Sequence, residues 1–173
     1  TKLYLIENCD HTYNVFSGDF NALYETVYAG IGFLKSVFGE ELSVTGKVTA
    51  VEKYGHAMLD VRKANMAALG FELGDVVTVT AGTYTGDMPY FDGYYVDSGE
   101  YMVRGYPSHD TIAVCINYGK FADVAGIGVG DEVTITLKEK GGAATTQAVY
   151  SLVYTNERSD YDSDEVFANF REI

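Results

Sequence analysis

The segment Gly70-Phe-Glu-Leu-Gly-Asp-Val-Val-Thr-Val-Thr80 returns 56 residues further along as Gly126-Ile-Gly-Val-Gly-Asp-Glu-Val-Thr-Ile-Thr136, so the chain contains one structural unit written twice. In each copy a helix-like stretch (residues 65–69 and 121–125) precedes a Gly-Asp pair, and alternating Val, Thr and Ile follow it. Glycine tolerates φ > 0 and the neighbouring Asp can accept hydrogen bonds from free turn amides, so Gly74-Asp75 and Gly130-Asp131 read as paired turn anchors. A further strand pattern lies upstream in each copy, at residues 56–61 and 111–117. Residues 58–80 are therefore expected to superpose on 114–136 by a near-twofold rotation, with Val61 opposite Asn117 and Val76 opposite Glu132 as the mismatched pairs. Neither copy can bury a hydrophobic face alone, and short antiparallel strands with open edges invite aggregation unless they close on themselves. Two copies are too few for a solenoid. The fold class expected is mainly β: a small closed β-barrel with internal duplication, plus an N-terminal amphipathic helix and a short C-terminal helix.

The flanks supply those helices. Residues 2–6 have a strand pattern, and from Asp19 the apolar residues Phe20, Leu23, Tyr24, Val27, Tyr28, Ile31, Leu34 and Phe38 recur at helical spacing. Asp19 is the expected N-cap and Gly39 the stop, and the wide apolar stripe should bury against the barrel or a second subunit. Residues 42–53 read as a long strand, residues 82–100 as a tyrosine-rich insert interrupting the repeat, and residues 147–154 as another strand. Asp160, Asp162 and Asp164 alternate as in a calcium loop, but the required glycine is Glu165, and a capping box led by Asp162 fits better. Val166, Phe167 and Phe170 then form one apolar face. The domains expected are 1–42, a strand and helix packing on the barrel; 43–156, the duplicated barrel; and 157–173, an acidic linker and helix.

With 25 acidic against 12 basic residues and a net charge of -13 over 173 residues, the molecule is repelled by nucleic acid and anionic lipid. No apolar run approaches the roughly 20 residues that span a bilayer. Fifteen tyrosines and no tryptophan are present, with Tyr90, Phe91, Tyr94, Tyr95, Tyr101 and Tyr106 close together. Such a surface suits sugars, nucleosides or proteins, or else belongs to half-buried strands with their hydroxyls in water. Catalytic sets are hard to assemble. Cys9 and His11 share a strand face but lack a third metal ligand, Ser108-His109-Asp110 follows Pro107 where turn chemistry explains it, and no glycine-rich phosphate loop is present. Cys115 reads as a small core hydrophobe. No catalytic residue, metal or cofactor is expected.

The order of short motifs resembles the C-terminal β-barrel domain of the S-adenosylmethionine hydroxide adenosyltransferases and their halogenase relatives. The carrying segments are Gly46-Lys-Val-Thr-Ala-Val-Glu-Lys-Tyr-Gly-His56, Ala68-Leu-Gly-Phe-Glu-Leu-Gly-Asp75, Asp97-Ser-Gly-Glu100, Ser108-His-Asp-Thr-Ile-Ala-Val-Cys-Ile-Asn-Tyr-Gly-Lys-Phe-Ala122 and Ala125-Gly-Ile-Gly-Val-Gly-Asp131. In that family the barrel supplies the adenine-binding side of a shared site. The resemblance implicates Tyr54, Tyr95, Ser108 and Asn117, together with His56 and His109, which stand where relatives carry Asn and sometimes Arg. The family's N-terminal catalytic domain has no counterpart here. Residues 154–171 are similar to a stretch that joins such barrels to tyrosine-phosphatase-like domains in some bacterial proteins, which implies an accessory, non-catalytic module and a location outside the cytoplasm. The expected partners are a nucleoside-like small molecule and an adjacent domain or second copy; the alternative is an S-adenosylmethionine hydrolase.

Overall fold

The computed structural model describes residues 13, 17–108 and 110–143, all within one compact unit, Thr1–Ala143. The expected strands at 2–6 and 147–154, the acidic segment and C-terminal helix, Cys9, His11 and His109 lie outside the described residues. A helix, Asn21–Phe38 (α1), comes first. The first copy of the repeat then forms Ser43–Val51 (β1), Ala57–Leu59 (β2), Lys63–Leu69 (α2) and Val76–Ala81 (β3). The second forms Tyr84–Phe91 (β4), Tyr101–Gly105 (β5), Ile112–Ile116 (β6), Phe121–Ala125 (α3) and Glu132–Glu139 (β7). The seven strands close into a barrel in the order β1-β2-β6-β5-β4-β3-β7.

Exchange of the two copies maps the barrel onto itself, with β1 answering to β4 and β5 together. Ala57 pairs with Val114 and Met58 with Ala113, so β2 and β6 swap onto each other. Val79 pairs with Ile135, its own repeat counterpart, and Thr78↔Thr136 is the image of Thr80↔Thr134. A twofold axis therefore passes through the Val79–Ile135 pair, whose side chains are both fully buried. The turns obey the same symmetry. Asp75 accepts from the Glu72 amide at 2.7 Å and Asp131 from the Gly128 amide at 2.8 Å, while Gly74 and Gly130 hold φ of 94° and 96°, where a Cβ would be strained. Gly74 donates to the Tyr90 carbonyl and Gly130 to that of Val48, both at 2.8 Å, which makes β4 the counterpart of the first half of β1.

That equivalence revises the expected insert at residues 82–100, because its first part is the barrel strand β4, paired with β3 from Tyr84 to Pro89. Only the loop of residues 92–100 is additional. In the first copy a register shift between Val48 and Ala50 carries β1 directly from β7 to β2. In the second copy the chain instead leaves at Phe91, runs through the loop and re-enters as β5, parallel to β4. The sheet is thus not wholly antiparallel.

Alternation explains the core. Val77, Val79 and Ala81 of β3 and Val133 and Ile135 of β7 point inward, and β2 and β6 are buried throughout. Phe71, Met66 and Phe121 are the largest fully buried side chains of this core, and Cys115 is a fully buried free thiol whose pKa burial pushes up to about 12.

Helix α1 departs from expectation in two respects. Its N-cap position is Phe20, although Asp19 still accepts the Asn21 amide at 3.0 Å; Gly39, at φ 71°, ends it. Its apolar stripe divides: Tyr28 packs against the core and Leu23 is half-buried, whereas Phe20, Tyr24, Val27, Ile31, Leu34 and Phe38 are exposed. The small residues Ala22 and Gly32 are the buried positions of the helix, and it packs on α2. A Cβ on Gly32 would collide with the Leu69 carbonyl, so the backbones of α1 and α2 approach closely at this point.

Candidate functional site

His56 lies between the turn at Gly55 and the start of β2, and its side chain is buried while its neighbours Lys53 and Tyr54 are exposed. Its Nδ1 stands 3.2 Å from the Glu52 carboxylate and 3.3 Å from the Tyr106 hydroxyl, and Tyr106 donates to the same carboxylate at 3.0 Å. A carboxylate only accepts, which assigns the ring proton to Nδ1 and leaves Nε2 as an acceptor for the Tyr94 hydroxyl at 3.4 Å. The Arg104 guanidinium lies 4.3 Å from both the Tyr94 and Tyr106 ring centres, sandwiched between them. Burial lowers the His56 pKa; Glu52 opposes this and Arg104 adds to it. Burial raises Tyr106, reinforced by the hydrogen bond to Glu52, and also raises Tyr94. The cluster consists of a neutral imidazole held between two neutral phenols, a carboxylate and a guanidinium.

Above it lies an open cleft of about 720 Å³ lined by Lys53, Tyr54, His56, Tyr94, Ile116, Asn117, Tyr118, Gly119 and Lys120. The three tyrosines give ring faces and the two lysines give positive charge at the rim. Tyr118 is 92% exposed and sits at φ 57°, an uncommon conformation for a residue with a Cβ. Asn117 is tied to the 92–100 loop: its Nδ2 donates to Val96 at 2.8 Å, and its backbone exchanges hydrogen bonds with Gly99 and Glu100. Its side-chain oxygen remains as an acceptor. A volume of this order accommodates a purine nucleoside.

Of the residues singled out from sequence, Tyr54, His56 and Asn117 meet in this cleft, although 61 positions separate the last two. Tyr95 turns elsewhere and packs edge-on against Phe91 with ring centres 5.6 Å apart. Ser108 is exposed in the turn after Pro107 and does not line the cleft, and His109 lies outside the described residues. Asp110 has a structural role, pairing with Arg62 at 2.6 Å and accepting the Ala64 amide. Glu52 and Arg104 were not foreseen. The only sequence signal for Glu52 is its place four residues before His56 across Gly55, and Arg104 reaches the site through the pairing of β5 with β6. The remaining tyrosines divide: Tyr90 is core, whereas Tyr84 and Tyr101 stack on each other with ring centres 5.1 Å apart, beside Phe121.

The fold and cleft together define a duplicated, closed seven-stranded β-barrel with a tyrosine-rimmed recess. No family model matches the chain, and no curated protein does. Among solved structures it is similar to an uncharacterized conserved protein from Thermotoga maritima, at 26% identity and a TM-score of 0.51, over 56% of this chain and 36% of that one. A conserved hypothetical protein from Thermus thermophilus matches at 17% identity and a TM-score of 0.38, over 53% of this chain and 34% of that one. The chain thus covers about a third of the length of either protein.

Proposed function

We propose that this chain is a non-catalytic β-barrel module that binds a small nucleoside-like molecule in the cleft. The observation that carries the reading is the cleft itself: three tyrosine faces, the Asn117 acceptor and a recess of nucleoside size in one place. The ring of the ligand stacks on Tyr54, and Asn117 reads a donor on its edge. Lys53 and Lys120 favour ligands bearing a negative group, such as a nucleoside monophosphate. The motif resemblance to adenosyltransferase barrels points the same way. Calorimetric titration of adenosine and adenosine monophosphate tests it. Binding should weaken by roughly 1–3 kcal/mol in Tyr54→Ala, the usual worth of a base–aromatic stack, and should also weaken in Asn117→Ala. Absence of heat with both ligands would leave a protein-interaction module as the better reading.

The Glu52–His56 pair favours one alternative, an S-adenosylmethionine hydrolase in which His56 acts as the base. Incubation with S-adenosylmethionine, following release of adenosine and methionine, separates the two readings. The binding module gives no turnover, whereas turnover that disappears in His56→Gln establishes the enzyme.

A further inference from the structure

We infer that the exposed face of α1 is a dimer interface, and that a second copy of this chain occupies it through antiparallel pairing of the two helices. Phe20, Tyr24, Val27, Ile31, Leu34 and Phe38 are separated by alternating steps of four and three residues, the spacing of a coiled-coil seam, and each is between 39% and 74% exposed. Outside the seam, Ala22 and Gly32 are buried, Gly32 against the Leu69 carbonyl of α2, and Tyr28 packs on the core, while Phe33 and Val37 are exposed. The seam is therefore not the face that holds the helix to its own barrel.

Three features select a second copy as the occupant. The seam matches itself when reversed: Phe20 meets Phe38 of the partner subunit, Tyr24 meets the partner's Leu34, and Val27 meets the partner's Ile31, with β-branched residues at the centre and an aromatic at each end. An isologous interface requires such self-complementarity. Charge is also compatible, because the only charged residues of α1 are satisfied within the copy: Glu25 lies 3.5 Å from Arg62, and Lys35 bonds the Glu41 carbonyl at 3.0 Å and the Ser43 hydroxyl at 3.2 Å. The seam itself carries no charge in a chain of net charge -13, which also disfavours an anionic membrane as the occupant. The six residues expose on the order of 700 Å² per copy, so pairing can remove at most about 1,400 Å², an upper bound that reaches the range of stable interfaces.

Sedimentation of the full chain across a wide concentration range tests the inference. The expected result is a species of twice the 18.9 kDa chain mass that Ile31→Asp and Leu34→Asp each reduce to the single-chain mass, with the far-ultraviolet spectrum retained. In a Cys9→Ser background, Tyr24→Cys combined with Leu34→Cys should oxidise to a covalent dimer. A single-chain mass at every concentration overturns the inference, as does a double mass that survives both aspartates. A single-chain mass together with a lowered melting temperature in Ile31→Asp also overturns it, since the seam would then be covered by the chain's own residues.

Discussion

Asp75 and Asp131 hold equivalent turns, yet their surroundings differ. Asp75 is 1% exposed and accepts from the Glu72 amide, the Gly141 amide at 2.9 Å and Lys140 Nζ at 3.1 Å; Asp131 is exposed and accepts from the Gly128 amide alone in its turn. Asp75→Ala strands two amides, while Lys140 keeps the Gly70 carbonyl and Glu72, and should destabilise by about 1–3 kcal/mol, whereas Asp131→Ala should lose roughly 0.5–1.5 kcal/mol. Urea midpoints would decide, and equal losses would mean that burial adds nothing at this turn. His56 makes a pH prediction. Its pKa is lowered from 6.5 chiefly by burial, so the unfolded chain takes up the proton first as pH falls. The stability that the neutral ring contributes is complete above pH 6.5 and declines as pH drops from there through the lowered native value. Urea midpoints should therefore fall more steeply with acid in wild type than in His56→Gln, and parallel slopes would show that His56 is not perturbed by folding. Part of this site was legible. Tyr54, His56 and Asn117 lie in quotable motifs, but Glu52 and Arg104 join them through a turn and a strand pairing that no local pattern records.

The two glycines near the middle of α1 have opposite settings. Gly32 faces the Leu69 carbonyl with no space for a Cβ, while Gly30 has open space around it. Gly32→Ala should lower stability by about 1–3 kcal/mol by forcing the helices apart. Gly30→Ala should raise it by up to roughly 1 kcal/mol by favouring helix. Thermal melts of the two variants check this pair, and a shift of the same sign in both would contradict the close α1–α2 contact. The same helix marks a limit of sequence reading. Periodicity locates α1 and its apolar stripe, but it does not show that Gly32 sits at the close approach to α2 while, of the stripe, Tyr28 packs on the core. Strand β4 was hidden for a different reason: Gly86, Asp87 and Pro89 are poor strand formers, and pairing with β3 overrides them. The repeated elements α3, β3 and β7 were legible because two copies of one pattern reinforce each other.

At the scale of the molecule, the loop of residues 92–100 is the main departure from symmetry. It leaves the barrel where the first copy passes from Val48 to Ala50 through a single irregular residue, Thr49, and it carries Tyr94 over His56. Excision of residues 92–102, joining Phe91 to Val103, would make the second copy follow the path of the first. The excised chain should keep a β spectrum and a cooperative melt while losing nucleoside binding. An unfolded product would show that the loop is needed to close the barrel. The loop also bears on ligand stoichiometry. A barrel built from two identical halves would offer two equivalent recesses, but an excursion present in one half only makes them unlike, so a titration of this chain should end at one molar equivalent.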